Sequence, residues 1–461
     1  MTHIIDTINS LLSSLLVICL PATALWFTFK LRGAQFRMIG DMIRELGGSG
    51  KRSSKGEGVS SFQAFTISIA SRVGTGNLAG VATAIAVGGP GAVFWMWVVA
   101  LLGGANAFVE STLAQLFKSR GEGSFIGGPA YYIKKGIGNR WFAALFAVLL
   151  IFTFGFAFNS VQSNTIASAY QTAFGVNPLY SGIIITLVTL FIIFGGIQRI
   201  AKFSQTVVPV MAIIYLLMAI VVIILRIDRI PEVFSMIISN AFGWEQALGG
   251  GIGVAIEMGV KRGLFSNEAG MGSAPNVAAT ADVSHPVKQG LIQSLSVYTD
   301  TLVICSCTAF IILCSGLYGS GYDGIQLTQM SLNAEVGNWG SYFIALIILF
   351  FAFTSIVGNY YYGESNIMFL TKKRSVLQLY RAIVGFMVMF GAISELNIVW
   401  SFADISMSLM TLCNLVAIII LGKYAALCLK DYQEQRREGK DPIYRSKTIV
   451  QIASKTECWD E

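Results

Sequence analysis

The chain alternates long apolar stretches with short polar ones, and each stretch is near the ~20 residues a helix needs to cross a bilayer. Eleven spans are expected, centred on 11–29, 62–87, 91–117, 142–168, 179–197, 204–225, 246–270, 289–317, 340–369, 376–394 and 398–428. The polar segments test that count, because loops left on the cytoplasmic side keep Lys and Arg. Lys30, Arg32, Arg37, Arg44, Lys51, Arg52 and Lys55 follow the first span, whereas the loop around Gly88, Gly89 and Pro90 has no basic residue. The alternation continues with Lys118, Arg120, Lys134, Lys135 and Arg140 after the third span, Arg199 and Lys202 after the fifth, and Lys261, Arg262 and Lys288 at the far end of the seventh. Lys372, Lys373, Arg374 and Arg381 follow the ninth, and eight more lie between Lys423 and Lys455. On this reading 29 of the 32 basic residues share one side; Arg226 and Arg229 fall on the other and Arg72 inside a span. Eleven crossings then put the N-terminus outside and the C-terminus in the cytoplasm. The first span carries its positive charges after the apolar stretch, the reverse of a signal peptide, and reads as a retained N-out helix.

Two spans depart from a plain apolar pattern in the same way. The second reads SIASRVGTGNLAGVATA and the seventh ALGGGIGVAIEMGVKRGLFSNEAGMG, five spans apart. Spans two to six and seven to eleven therefore read as two five-helix repeats, inverted because each holds an odd number of crossings, with a glycine-rich break in the first helix of each. Unwound backbone has no water to bond with in lipid, so a break must be buried and met by polar partners. Gly74 and Gly76 let backbone approach closely, and Thr75 and Asn77 add a hydroxyl and an amide, in a cluster more polar than helix packing requires. Half-helix N-termini attract a carboxylate, and half-helix C-termini with free carbonyls attract a cation. The corresponding division of the chain is 1–60 for the extra helix and its basic loop, 61–226 and 227–430 for the repeats, and 431–461 for a cytoplasmic tail.

Charges inside the spans are costly, about 2.5 to 3.5 kcal/mol each on the lenient insertion scale. They are Arg72, Glu110, Glu257, Glu268, Asp300, Glu364 and Asp404. Arg72 could pair with Glu257 or Glu268 between the two breaks as a hinge or gate, or such pairs could be static. Polar runs also interrupt the fourth span, where Asn159, Gln162 and Ser163 share a face, and the ninth, at Thr354 and Ser355.

Composition narrows the function classes. Hydrophobic residues make up 54% of the 461, charged ones 12%, and mean hydropathy is +0.66, so lipid is the solvent for most of the chain. The net charge of +7 sits in alternate loops, which indicates topology and not a nucleic-acid partner. Two histidines, His3 and His285, leave no material for a His-based triad or metal site, and the seven scattered cysteines read as small core residues. The run at 47–51 looks like a phosphate loop, but Glu45 stands where the first glycine is needed. With no ATP motif, any pumping draws on a gradient. An enzyme lacks its clustered chemistry, a receptor its signalling domain, and a channel its repeated pore rings.

Three motifs are family-like. GGPGAVFWMWVVALLG at 88–103, GTGNLAGVATAI before it, and KRGLFSNEAGMGSAPNVAATA at 261–281 resemble the alanine or glycine:cation symporter family, sodium:alanine type. The resemblance covers essentially the whole chain. It implies an all-α polytopic membrane protein of 11 transmembrane helices with the leucine-transporter-like 5+5 inverted repeat, preceded by one extra N-terminal helix, in the plasma membrane of a prokaryote. It also implies import of alanine or glycine with Na⁺ as coupling ion and no other cofactor, by a monomer, through alternating access. Glutamine as substrate, or protons as coupling ion with a lysine such as Lys202 replacing sodium, are the alternatives. By the same analogy the substrate would be held by Thr75, Gly76, Asn77, Gln162 and an unwound stretch Phe265, Ser266, Asn267. The sodium would be held by carbonyls of Ala70, Val73 and Phe351 and the hydroxyls of Thr354 and Ser355, oxygen ligands suited to a hard cation.

Overall fold

A segment crossing lipid satisfies its own N–H and C=O groups by coiling into a helix, and the computed structural model is built of helices. It describes residues 2–48, 58–121, 124–194, 196–243 and 251–459; Lys51, Arg52 and Lys55, and the side chains of 2–6 and 196–205 with Arg199 and Lys202, lie outside the described residues. Among the described residues eight helices are long and apolar enough to cross a membrane: Thr7–Lys30, Gly91–Leu116, Arg140–Phe174, Thr206–Leu225, Pro286–Ser315, Trp339–Leu370, Arg374–Ile393 and Leu396–Arg437. The three other expected spans fall short for visible reasons. The segment at 179–197 gives a 16-residue helix, Pro178–Ile193, and those at 62–87 and 246–270 are interrupted. Further helices, among them Ile39–Gly47, Ile230–Ala241 and Gly324–Val336, occupy segments expected to be loops.

The first interrupted span begins with a capping box, in which the Gln63 N–H donates to Ser60 Oγ (3.1 Å) and the Ser60 N–H to Gln63 Oε1 (3.0 Å). Its helix, Ser61–Arg72, stops where Val73 turns extended; the chain re-coils as a wide π-helical turn, Gly76–Gly80, and continues as Val81–Gly88. The second interrupted span runs Ile252–Asn267 and stops at Glu268, whose φ of 56° is a left-handed conformation rare for a side-chain-bearing residue. Gly270 and Gly272, at φ 87° and 88°, carry the loop to a short helix, Pro275–Ala278. Phe265, Ser266 and Asn267 are therefore the last helical turn and not unwound, a correction to the expected break, which starts at Glu268. The segment entering the first interrupted span pairs with the one leaving the second: the Val59 N–H donates to Thr280 O (3.1 Å) and the Asp282 N–H to Val59 O (3.0 Å).

Lys261 and Arg262, expected at the cytosolic end of the seventh span, are instead buried inside its helix against Asp404, at 3.3 and 2.7 Å. A lone carboxylate in a bundle interior needs a cationic partner, which draws both side chains inward.

The C-terminal tail and the end of the helix that leads into it tie three of the other basic segments together. Glu457 pairs with Lys135 (3.0 Å), Asp441 with Lys288 (2.6 Å), and Asp41 of the first loop with Arg436 (3.7 Å). Trp459 is buried, donates its indole N–H to Gln115 O (3.2 Å), and lies beneath the Lys118 ammonium, which is 4.6 Å from its ring and 3.9 Å from that of Phe125. Burial pulls Lys118 down to about 8.

His285 sits at the same seam. The Val287 N–H donates to His285 Nδ1 (3.1 Å), capping the helix Pro286–Tyr298, so the ring proton is on Nε2, 3.1 Å from Asp431 Oδ2. Burial holds its pKa below the ordinary 6.5, against the opposing pull of Asp431. A histidine depressed in the folded state stabilises docking above its unfolded value and loses that contribution as pH falls towards its folded one. Proteolysis of the tail is therefore expected to accelerate between about pH 7 and about pH 5. His285→Asn, which still accepts the capping bond but does not titrate, should flatten the response. An unchanged pH profile in that variant would remove His285 as the cause.

Candidate functional site

A helix that stops leaves its last carbonyls without intrahelical partners. In Ser61–Arg72 the N–H that would return to Ala70 O belongs to Gly74, and it donates instead to Asn77 Oδ1 (3.0 Å). The Ala70 carbonyl is thereby released. It lies 3.0 Å from Ser355 Oγ, with Val73 O at 3.3 Å and Phe351 O at 3.0 Å from the same atom. The Thr354 hydroxyl donates to Phe351 O at 2.9 Å. All five oxygens expected around a sodium ion are thus gathered between the first break and the helix Trp339–Leu370, and all five residues are buried. Ser355 has one hydroxyl proton for three carbonyls, so the cluster has more acceptors than protons to offer them.

The next N–H, that of Thr75, is released in the same way. It donates to Gln162 Oε1 (2.9 Å), and the Thr75 hydroxyl donates to the same oxygen (2.8 Å). The Gln162 carbonyl oxygen thus occupies a place suited to a carboxylate oxygen. Gly74 lies between the two clusters: a Cβ there would stand 2.2 Å from Ser355 Oγ and 2.8 Å from Gln162 Oε1. Gly76 faces the other interrupted helix, where a Cβ would be 2.9 Å from Ser266 Cα.

The two breaks meet at a residue outside the expected site set. Asp300, buried in a π-helical stretch Thr299–Cys305, accepts from Asn77 Nδ2 (2.7 Å), Ser266 Oγ (2.7 Å) and Thr301 Oγ1 (3.0 Å). Asn267 Nδ2 donates to Thr301 Oγ1 (3.2 Å). Its sequence signal was an acidic residue inside a span; what the sequence did not carry was which helices it faces.

Phe265 does not join these polar groups. It packs between Phe158 (ring centroids 4.4 Å apart) and Trp400 (4.8 Å), both rings tilted against it, and the Arg262 guanidinium lies 4.2 Å from the Trp400 ring while paired to Asp404. An aromatic layer under an ion-paired lid therefore covers the site on the side away from the tail. Trp400, whose buried indole N–H has no partner among the described residues, is a second residue that sequence reasoning missed.

Arg72 makes no ion pair with Glu257 or Glu268 among the described residues. Its guanidinium donates to Ser296 Oγ and to Gln293 O (3.4 Å), while Glu257 is part-exposed beside Lys261 (3.7 Å). Glu268 instead accepts from Ser71 Oγ (2.8 Å) and Ser273 Oγ (2.5 Å), and Glu110 from the Gly270 N–H (3.1 Å) and Asn414 Nδ2 (2.9 Å). These carboxylates hold the second break. Glu364 is paired with Arg381 (3.1 Å) and takes no part in either break.

Comparison with known proteins identifies the family. The family model described as "Sodium:alanine symporter family" matches residues 1–446. The "Amino-acid carrier protein AlsT" of Bacillus subtilis (strain 168) is 53% identical over 437 residues, 95% of this chain and 93% of that one. The "Probable sodium/glutamine symporter GlnT" of the same organism is 51% identical over 459 residues, 99% of this chain and 96% of that one. Among solved structures, that of MhsT in complex with L-phenylalanine aligns at TM-score 0.57 and 14% identity, over 88% of this chain and 94% of that one, a likeness of fold alone. Interrupted helices facing each other in an all-α polytopic bundle, with the fold of leucine-transporter-type carriers and a whole-length family match, make this chain a member of the sodium:alanine symporter family, a transporter and not an enzyme.

Proposed function

We propose that the chain imports a small neutral amino acid, alanine or glycine by first preference, together with Na⁺ by alternating access. Na⁺ sits among the Ala70, Val73 and Phe351 carbonyls and the Thr354 and Ser355 hydroxyls. The observation that carries the reading is the one-proton Ser355 hydroxyl among three carbonyl oxygens at 3.0 to 3.3 Å, an arrangement a monovalent cation completes. The substrate carboxylate replaces Gln162 Oε1 on the Thr75 N–H, with the Gly76 N–H, Asn77 and Ser266 beside it. Phe265 forms the apolar wall. Glutamine is the alternative cargo, supported by the name of one relative; proton coupling through Lys202 is the alternative drive.

The finer architecture belongs to the same proposal. Eleven crossings result when the two interrupted helices and Pro178–Ile193 are added to the eight long helices. An extra helix within 1–60 precedes inverted repeats at 61–226 and 227–430, and 431–461 is a cytoplasmic tail. The basic end bound by the tail faces the cytoplasm, with the N-terminus outside. The protein works as a monomer in a prokaryotic plasma membrane.

In proteoliposomes, an imposed inward Na⁺ gradient should drive labelled alanine uphill. Purely downhill flux would instead mean a channel, and uptake driven by a proton gradient alone would reverse the coupling assignment. Losing a bond to a charged group costs about 1.5 to 3 kcal/mol, so Thr354→Ala and Ser355→Ala should each raise the Na⁺ half-saturation about ten- to hundredfold. Unchanged Na⁺ dependence in both would sink the ion site.

Gly74→Ala should weaken Na⁺ and amino acid together, since one methyl group strikes both Ser355 and Gln162. Overpacking of this kind costs about 1 to 3 kcal/mol, or about five- to hundredfold in affinity. A loss confined to one ligand would show that the two pockets are separate. Competition of labelled alanine with glycine, serine and glutamine identifies the cargo: glutamine competing best would replace alanine.

A further inference from the structure

We propose that the cavity of about 460 Å³ lined by Lys134, Arg140, Trp141, Ala144, Phe369 and Leu370 binds the headgroup of an anionic phospholipid from the cytoplasmic leaflet. The leaflet rests on the orientation proposed above; the recognition does not.

The cavity opens between the start of the helix Arg140–Leu150 and the end of the helix Trp339–Leu370, at the end of the bundle where the tail docks. Neighbouring cations there have different duties. Lys135 is engaged by Glu457 at 3.0 Å and Ser119 at 2.7 Å. Lys134 and Arg140 have no ion-pair or hydrogen-bond partner among the described residues; Lys134 only lies over the Phe369 ring, at 5.6 Å. Two uncommitted cations in one concavity, with exposed Lys372 and Lys373 just past Leu370, suit a phosphate diester. Basic pockets between helices at this depth favour anionic headgroups.

What distinguishes a lipid from a free anion is the surface below the cavity. Trp141 is 86% exposed, and Leu145, Val148 and Phe152 follow it at 53%, 54% and 39%. At helical spacing the four form one outward apolar stripe running from the cavity toward the membrane interior. Trp at the headgroup level with apolar residues beneath is the pattern of a membrane interface. A phosphate held by Lys134 and Arg140 would therefore have its acyl chains laid along Trp141, Leu145 and Val148.

The full chain reconstituted in vesicles provides the test, with brominated-chain phosphatidylglycerol or phosphatidylcholine as quencher. The protein has eight tryptophans, so the difference between the wild type and Trp141→Phe isolates the reporter. Phosphatidylglycerol should associate at Trp141 about tenfold better than phosphatidylcholine. The preference should vanish in Lys134→Ala with Arg140→Ala, and persist in the charge-keeping pair Lys134→Arg with Arg140→Lys, which controls for misfolding. Equal quenching by the two lipids, or a preference that survives the alanine pair, overturns the proposal. So does loss of the preference to potassium phosphate at an ionic strength where potassium chloride leaves it intact, which would make this a site for free phosphate.

Discussion

Everything in this molecule is arranged around one constraint: two helices stop in the middle of a lipid-embedded bundle, and the backbone groups they release must be met from within. An unmet group in that setting costs several kcal/mol. At the first break the released N–H groups go to side chains, Gly74 to Asn77 and Thr75 to Gln162, while released carbonyls converge on Ser355. At the second, Glu110 accepts from the Gly270 N–H and Asn414 donates to Gly270 O. The helices that supply these partners are thereby fixed in place, so the breaks organise the bundle around themselves.

Charge follows from the same arrangement. Glu110, Glu268 and Asp300 are buried around the breaks, and the cation whose field acts on all three is Arg72. One positive charge against three carboxylates leaves an electronegative centre when all are ionised, and buried charge demands compensation. Arg262 and Lys261 do not alter that centre, because both are committed to Asp404 beyond the aromatic layer.

The sequence made the skeleton legible because lipid imposes a simple rule: long apolar runs with basic residues at alternate ends. It also located both breaks, since glycine beside polar residues inside an apolar run weakens the helix in the one solvent that cannot replace its hydrogen bonds. It was least reliable where the answer depended on long-range partners. Lys261 and Arg262 read as loop charges because the partner that draws them inward, Asp404, is 142 residues from Arg262. The end of the seventh helix was misplaced because Ser266 and Asn267 look like loop residues, whereas their polar groups bond Asp300 and Thr301 while their backbone stays helical. Trp400 gave no signal among many aromatic residues; its role comes from lying between Phe265 and Arg262.

In the proposed symport, coupling needs no separate device. Coupling is a free energy shared between two sites, and it is reciprocal. Gly74 provides the sharing, because its Cα faces both Ser355 Oγ and Gln162 Oε1 too closely for any side chain to intervene. Gathering the Ala70 and Val73 carbonyls around a cation fixes the backbone on one side of Gly74. Seating a carboxylate on the Thr75 N–H fixes it on the other. Whichever ligand arrives first orders the three residues Val73, Gly74 and Thr75 for the second, which then loses less conformational freedom on binding. In that proposal the glycine that permits the break also makes it a joint site, since any side chain at this position would strike the partners of both ligands at once.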